Sequence, residues 1–277
     1  AMLMGDLLFD DAGIADAYQQ FILPFWNACN FFISYANIDD YYQDKIVEPV
    51  SDNMLDKWML AKLYETEQKI RTNMDSYQVD KYIEPLASLI DGLTNWFIRR
   101  SRRRFWEAGF SKDKKQAYDT LYYVLVNTSK LLAPVAPIIS EKIYKVLTND
   151  TSVHLTSWPN IPSKYKNEQL ISEINIVLDV ISLARNIRNK NGVKNRQPLS
   201  LLKIAVSNPK YVNVISMFQD IIKEELNVKQ LEIVSNIEDI ASVKANPNFN
   251  VIKSKYPNEM VHIIKAIKSN DYKILGD

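Results

Sequence analysis

The densest group of positive charge in this sequence lies between Asn95 and Trp106, where five arginines occur in the string NWFIRRSRRRFW. Guanidinium groups bind phosphates through paired hydrogen bonds, and an exposed tryptophan can stack on an unpaired base. Cations at the C-terminal end of a helix also interact favourably with the helix dipole, so the same string is typical of a solvated helix end. The spacing agrees with both interpretations and does not decide between them.

Helical periodicity divides these side chains into two sets. The apolar stripe of the helix is defined by Leu86, Ile90, Leu93 and Phe97. Arg100 and Arg104 fall on that stripe, so we expect them to be partly buried, with carboxylate or carbonyl partners. The side chains that point away from the stripe are the candidate RNA contacts, namely Arg99, Arg102, Arg103 and Trp106.

A second basic cluster extends from Arg185 to Pro198 and contains no acidic residue. It lies where a predicted helix ends, and Gly192 suits the left-handed turn that leaves such a helix. A loop with several cations and amide side chains can follow a phosphate backbone, although a purely structural role explains the pattern equally well. The candidate RNA contacts in this cluster are Arg188, Lys190, Lys194 and Arg196.

Composition limits the classes of protein that fit. The net charge is only +1, so any affinity for nucleic acid must come from local clusters. Cys29 is the only cysteine, and His154 and His262 are far apart, so neither a zinc site nor a catalytic constellation is predicted. No segment suits a membrane span or a signal peptide, and we expect a cytoplasmic protein. Because Ala1 is not a natural initiator, we expect the sequence to be part of a longer chain.

The elements that must position both clusters are mainly helical. Only six glycines are present, and apolar residues at helical spacing predict four long helices in an antiparallel bundle. The first helix is predicted to start at Asp10 or Asp11, with a kink or restart at Pro24, and the second at Ser51 or Asp52. The third and fourth are predicted to start at Val79 and Ser111. The third helix should run to Ala108, and the fourth should resume from Ile138 to Leu147 after two prolines.

The second half of the sequence predicts a small α+β module. A helix from Glu168 to Asn189 precedes strands at Leu201 to Val206 and Val228 to Val234, with a helix from Tyr211 to Leu226 between them. A further strand near Ile240 to Lys244, a turn at Pro247 and a helix from Asn258 to Lys268 complete it. The predicted domains are a helical bundle over residues 1–158 and the α+β module over 159–277.

Several strings, read in order, resemble the anticodon-binding part of isoleucyl-tRNA synthetases. They are WNACNFFISYANID, DKWMLAKL, NWFIRRSRRRFW, LLAPVAPIISEKIY, SVHLTSWP and RNKNGVKNRQPL. The later string VKANPNFNVI resembles an extension found in the eukaryote-like type of that enzyme, which also occurs in bacteria. The resemblance covers nearly the whole sequence, and the pairing of NWFIRRSRRRFW with RNKNGVKNRQPL is its most specific part.

The resemblance implies a non-catalytic, C-terminal fragment of isoleucine–tRNA ligase that binds the anticodon stem and anticodon of isoleucine-accepting tRNA. ATP and Mg²⁺ would be used in a catalytic domain, and misacylated valine would be hydrolysed in an editing domain, neither of which is present in this sequence. The fragment itself would need no cofactor, and its partners would be tRNA and the enzyme's own catalytic domain. An alternative hypothesis is a helical interaction module that docks on a protein partner or on that catalytic domain.

Overall fold

The computed structural model describes residues 11–206 and 208–235, together with 249, 252–253, 256 and 259–268. The chain divides into two compact units, Ala1–Ser172 and Glu173–Asp277. The first contains a helical bundle, and the second contains helices and a two-stranded sheet, so the predicted fold class is confirmed. The proposed functional boundary after residue 158 stays a prediction.

Long helices with short connections form the first unit. They are α1 (Asp11–Ala17), α2 (Leu23–Ile38), α3 (Met54–Asp75), α4 (Ile83–Asp91), α5 (Arg99–Trp106), α6 (Lys112–Leu132), α7 (Pro137–Thr148) and the start of α8 (Glu168–Lys190). Short π-helical segments, Tyr18–Ile22 and Gly92–Ile98, join α1 to α2 and α4 to α5. Short 3₁₀ turns occur at Val79–Lys81, Val153–Leu155 and Ser163–Tyr165.

The first long helix does not end at Pro24, which lies in the first turn of α2. Proline has no backbone N–H and disturbs the hydrogen bonds of the preceding turn. The π-helical segment Tyr18–Ile22 lies directly before it, and its wider hydrogen-bond spacing accommodates this disturbance. The predicted kink or restart at Pro24 is therefore a local change of helix type.

The capping residues of α3 and α6 follow from their side-chain chemistry. The Asn53 side chain accepts a hydrogen bond from the Leu55 amide at 2.9 Å and caps α3, so the prediction of Ser51 or Asp52 as its cap is wrong. Ser51 instead donates its hydroxyl hydrogen to Asp56 at 2.6 Å. The predicted cap of α6 is confirmed, because Ser111 accepts from the Lys114 amide at 3.1 Å.

The third predicted helix is divided into α4, a π-helical segment and α5. A methyl group added at Gly92, the first residue of that segment, would lie 3.0 Å from Cη2 of Trp58. Glycine at this position therefore allows the Trp58 ring to pack directly against the backbone. The helix ends at Trp106, and Gly109 follows with φ +81°, a left-handed conformation that favours glycine.

Apolar side chains from these helices form the core of the first unit. Phe25, Trp58, Leu86 and Phe97 are each at most 2% exposed. Cys29 is buried among them, and burial raises the pKa of its thiol above the ordinary value. Trp26, by contrast, is 36% exposed and lines an outer groove.

The second unit contains most of α8 and a β-α-α-β arrangement. Its further elements are β1 (Leu199–Ala205), α9 (Pro209–Met217), α10 (Gln219–Leu226), β2 (Val228–Val234) and α11 (Met260–Lys268). The two strands are parallel, with Leu199 opposite Val228 and Ala205 opposite Val234. The helix predicted from Tyr211 to Leu226 is two helices separated at Phe218, which is buried. The predicted strand near Ile240 to Lys244 and the turn at Pro247 lie outside the described residues.

Within the described part of the chain, no helix is both long enough and apolar enough to cross a membrane. No group of three metal-ligating side chains comes together there either.

Candidate nucleic-acid interface

Arg104 fixes the end of the arginine-rich helix from the inside. Its guanidinium forms paired hydrogen bonds with the fully buried carboxylate of Asp56, at 2.6 and 2.8 Å, and Nε donates to Asp113 at 2.7 Å. Burial alone would lower the pKa of Arg104, but the two carboxylates outweigh it and raise that pKa. The helical wheel predicts this inward position and partners that are carboxylates or carbonyls.

The four outward candidates occupy the solvent-exposed side of α5. Arg99, Arg102 and Arg103 are exposed, and 58% of the Trp106 surface is accessible. The Trp106 indole nitrogen donates to the Tyr35 hydroxyl at 2.6 Å, which fixes one edge of the ring. Guanidinium groups and an anchored, half-exposed indole therefore lie on one short helix.

Arg99 and Arg100 also contact the helix itself. Nε of Arg99 donates to the Asn95 carbonyl at 2.8 Å, and its guanidinium lies 6.0 Å from the Trp96 ring. The Arg100 guanidinium lies 5.4 Å from the same ring, and Arg100 is half-buried, as predicted. Because cations above an aromatic face are attracted to it, these contacts restrict where both side chains can point.

A second buried cation supports the same helix end. Lys114 is 2% exposed, and its ammonium contacts the Asp39 carboxylate at 2.7 Å and donates to the Glu107 carbonyl at 2.8 Å. Asp39 also accepts from the Tyr118 hydroxyl at 2.5 Å. Although burial opposes its charge, these hydrogen bonds and the Lys114 charge hold the pKa of Asp39 below its ordinary value.

Lys114 is not among the residues predicted from the sequence, although its position carries a signal. Lys114 precedes Tyr118, Leu121 and Leu125 by 4, 7 and 11 residues, which is the spacing of one helical face. All three of those residues are fully buried. A lysine on such a stripe is expected to need a buried anionic partner.

The second basic cluster contains both an inward and an outward group. Arg188 is 5% exposed and donates to the carbonyls of Leu226, Gln197 and Lys194. It therefore holds the loop between α8 and β1 in place, and its guanidinium is not presented to solvent. Arg185 pairs with the buried carboxylate of Glu225 at 2.7 Å. The remaining candidates of this loop, Lys190, Lys194 and Arg196, are exposed.

Replacing Arg188 with methionine should lower the free energy of unfolding by about 1–3 kcal/mol, because hydrogen bonds from a charged donor to three carbonyls are lost. Chemical denaturation measures this change in the free energy of unfolding. The matched control is Lys190→Met, which removes an exposed charge from the same helix and should change stability by less than about 0.5 kcal/mol. Equal stability of the two variants would contradict the assignment of Arg188 as a loop anchor.

A helical bundle with guanidinium groups and an anchored indole at one helix end has the features of an RNA-binding surface. Residues 56–205, more than half of the chain, match the family described as the anticodon-binding domain of tRNA ligase. The chain belongs to this family.

Curated relatives agree with this assignment. An isoleucine–tRNA ligase of Protochlamydia amoebophila (strain UWE25) is 38% identical over 258 residues, which cover 92% of this chain and 25% of that protein. The ligases of Clostridium novyi (strain NT) and Bacillus thuringiensis (strain Al Hakam) are 33% and 36% identical, over 95% and 90% of this chain. The chain spans about a quarter of the length of these relatives. The family resemblance drawn from the sequence strings is confirmed.

Proposed function

We propose that this chain is the tRNA-binding part of an isoleucine–tRNA ligase and that it contacts the anticodon stem and anticodon loop of isoleucine tRNA. The observation that carries the proposal is the helix end of α5, where exposed Arg102, Arg103 and Trp106 surround an inward Arg104 held by two carboxylates. In this proposal the cytoplasmic full-length protein activates isoleucine with ATP and Mg²⁺ in regions that this chain does not span.

Each group has a separate task in the proposed complex. Arg102 and Arg103 bind phosphates and set the position of the RNA, and Trp106 stacks on an unpaired base. Lys190, Lys194 and Arg196 follow the phosphate backbone at a second place on the RNA. Arg99 adds positive charge near the first group, with its Nε directed to the Asn95 carbonyl.

Direct binding tests the proposal. The chain should bind isoleucine tRNA more tightly than a tRNA with a different anticodon, and the affinity should fall as salt concentration rises. Fluorescence anisotropy with labelled tRNA, repeated over a series of salt concentrations, measures both properties. Equal affinity for the two tRNAs together with no salt dependence would rule the proposal out.

Changing Arg102 and Arg103 together to alanine should reduce the slope of log affinity against log salt by about 1.4–1.8, because each phosphate contact contributes roughly 0.7–0.9. The matched control is the double change of Lys69 and Lys145 to alanine, which removes the same net charge from exposed positions on α3 and α7. The control should leave the slope unchanged. A slope that falls equally in both variants would show that only net charge matters.

An apolar groove favours the second candidate function, docking on the catalytic part of the same ligase. Tyr18, Ile22, Trp26, Pro137 and Ile138 line a groove of about 490 Å³. Ile138 is 87% exposed, which is unusual for so large an apolar side chain. Ile138→Asp should weaken association with a separately expressed catalytic part and leave tRNA affinity unchanged. Salt-independent association that survives this change would contradict a docking role for the groove.

A further inference from the structure

We propose that Phe110 is a second stacking surface, which holds another unpaired base beside the one held by Trp106. This inference rests on the proposed function, since it names further contacts of the same RNA. Phe110 lies just after the left-handed turn at Gly109, between α5 and α6, and 47% of its surface is accessible.

The Phe110 ring packs against two tyrosine rings. Its centroid lies 5.8 Å from that of Tyr118, with 19° between the ring planes, and 6.3 Å from that of Tyr41, with 30°. The two tyrosine rings stack on each other, with centroids 4.7 Å apart and 17° between the planes. Both tyrosines are fixed by hydrogen bonds, because Tyr118 donates to Asp39 at 2.5 Å and Tyr41 donates to Asp119 at 2.9 Å. The Phe110 ring is thus held in one orientation before any ligand binds, which lowers the entropy cost of stacking.

The same aromatic cluster extends to Trp106. Phe105 is 1% exposed, and its ring centroid lies 4.8 Å from that of Tyr118 and 6.4 Å from that of Tyr35. Tyr35 accepts the hydrogen bond from the Trp106 indole. Trp106 and Phe110 are therefore exposed rings at the two ends of one continuous aromatic cluster.

The surroundings of these two rings favour RNA as the occupant. Arg102 and Arg103 occupy exposed positions on the helix that ends at Trp106, so phosphate contacts and base stacking are available together. Single-stranded nucleic acid is bound by this combination of cationic groups and successive aromatic platforms. Residues 107–109 and 111–112, which flank Phe110, are exposed and largely polar or small, so the rings lack the wide apolar surround typical of a protein interface.

The test uses the 277-residue chain, isoleucine tRNA and the corresponding anticodon stem-loop RNA. Phe110→Leu keeps the apolar bulk but removes the ring, and it should weaken binding by about 5- to 150-fold, the range for one lost base stack. Phe110→Tyr keeps the ring and should bind within about twofold of the original chain. Tyr77→Leu is the matched control, because Tyr77 is 85% exposed and lies just beyond the C-terminal end of α3. Asp56, which holds Arg104 of α5, lies near the opposite end of α3, so Tyr77 is far from the proposed RNA contacts.

A fluorescent 2-aminopurine in the loop of the anticodon stem-loop RNA adds a second measurement, which would not change if Phe110 had only a structural role. Its fluorescence should fall when the chain binds, and Phe110→Leu should remove part of this quenching. Binding by the original chain with weakening in Trp106→Leu, but none in Phe110→Leu, would overturn the inference and leave the proposed function standing. A Phe110→Tyr variant that binds as weakly as Phe110→Leu would also overturn the inference. So would a Phe110→Leu variant whose loss of affinity is the same for the stem-loop RNA and for a continuous RNA duplex. Absence of any binding by the original chain would instead overturn the proposed function.

Discussion

Arg104→Met should lower the free energy of unfolding by about 3–5 kcal/mol, the usual cost of removing one partner from a buried ion pair. Asp56 is 0% exposed, and among the described residues it would keep only the hydrogen bond from Ser51, so its charge would lack compensation in the interior. Asp113 would lose its hydrogen bonds from the same guanidinium, but it is 47% exposed and would regain water. Most of the loss therefore comes from Asp56.

Two further variants separate this explanation from a loss of packing. Arg102→Met removes an exposed arginine from the same helix and should change the free energy of unfolding by less than about 0.5 kcal/mol. Asp56→Asn combined with Arg104→Met removes both charges and should recover part of the stability. Chemical denaturation followed by circular dichroism measures all three. No recovery in the double variant would show that shape, not charge, dominates at this site.

Lys114→Met should cost about 3 kcal/mol, near the lower end of the same range, because Asp39 retains the Tyr118 hydrogen bond and some contact with solvent. The change should also alter the dependence of stability on pH. Since the pKa of Asp39 is lowered in the folded chain, the unfolded chain binds this proton more readily. The stabilisation from Asp39 is therefore complete above its unfolded pKa of about 3.9 and is lost as pH falls through the folded value.

Denaturation curves at several acidic pH values measure this second effect. Below pH ~4 the original chain should lose stability more steeply than Lys114→Met, because the variant lacks the ammonium that lowers the Asp39 pKa. Lys115→Met is the control, since Lys115 is exposed and pairs with Asp119 instead. Parallel pH profiles for the original chain and the Lys114 variant would contradict the proposed link between Lys114 and Asp39.

Most of the fold follows from local sequence signals. Apolar periodicity predicts the long helices, Ser111 caps α6 as expected, and the β-branched run at Val228 to Val234 coincides with β2. The errors arise where a position depends on partners far away in sequence. Asn53 caps α3, whereas Ser51 is engaged with Asp56, whose other partner Arg104 lies 48 residues away in sequence.

The candidate site shows the same division between local and distant causes. The helical wheel separates inward Arg104 from the exposed arginines because both sets lie on one short helix. It does not predict that Ser101 and Phe105 are the most buried residues of α5, since it assumes a regular α-helix from Leu86 onward. The π-helical segment Gly92–Ile98 breaks that regularity and changes the phase of every later residue.

Arg188 shows a different limit of sequence reasoning. The acid-free basic cluster predicts four RNA contacts of the same kind, but one of them, Arg188, binds three backbone carbonyls of its own unit. One of those carbonyls belongs to Leu226, which is 38 residues away in sequence. Counting charges could not reveal the need for this guanidinium, which arises only when the end of α10 meets the loop before β1.

The π-helical segment before α5 also has a consequence for insertions and deletions in this family. A π-helical turn accommodates one residue more than an α-helical turn, so deleting one residue between Gly92 and Ile98 would allow a regular α-helix and leave the following turns facing nearly the same way. Arg104 would still face Asp56. Deleting one residue after Ile98 would instead rotate the later side chains by roughly 100°, so a change of length should be better tolerated within Gly92–Ile98 than within α5.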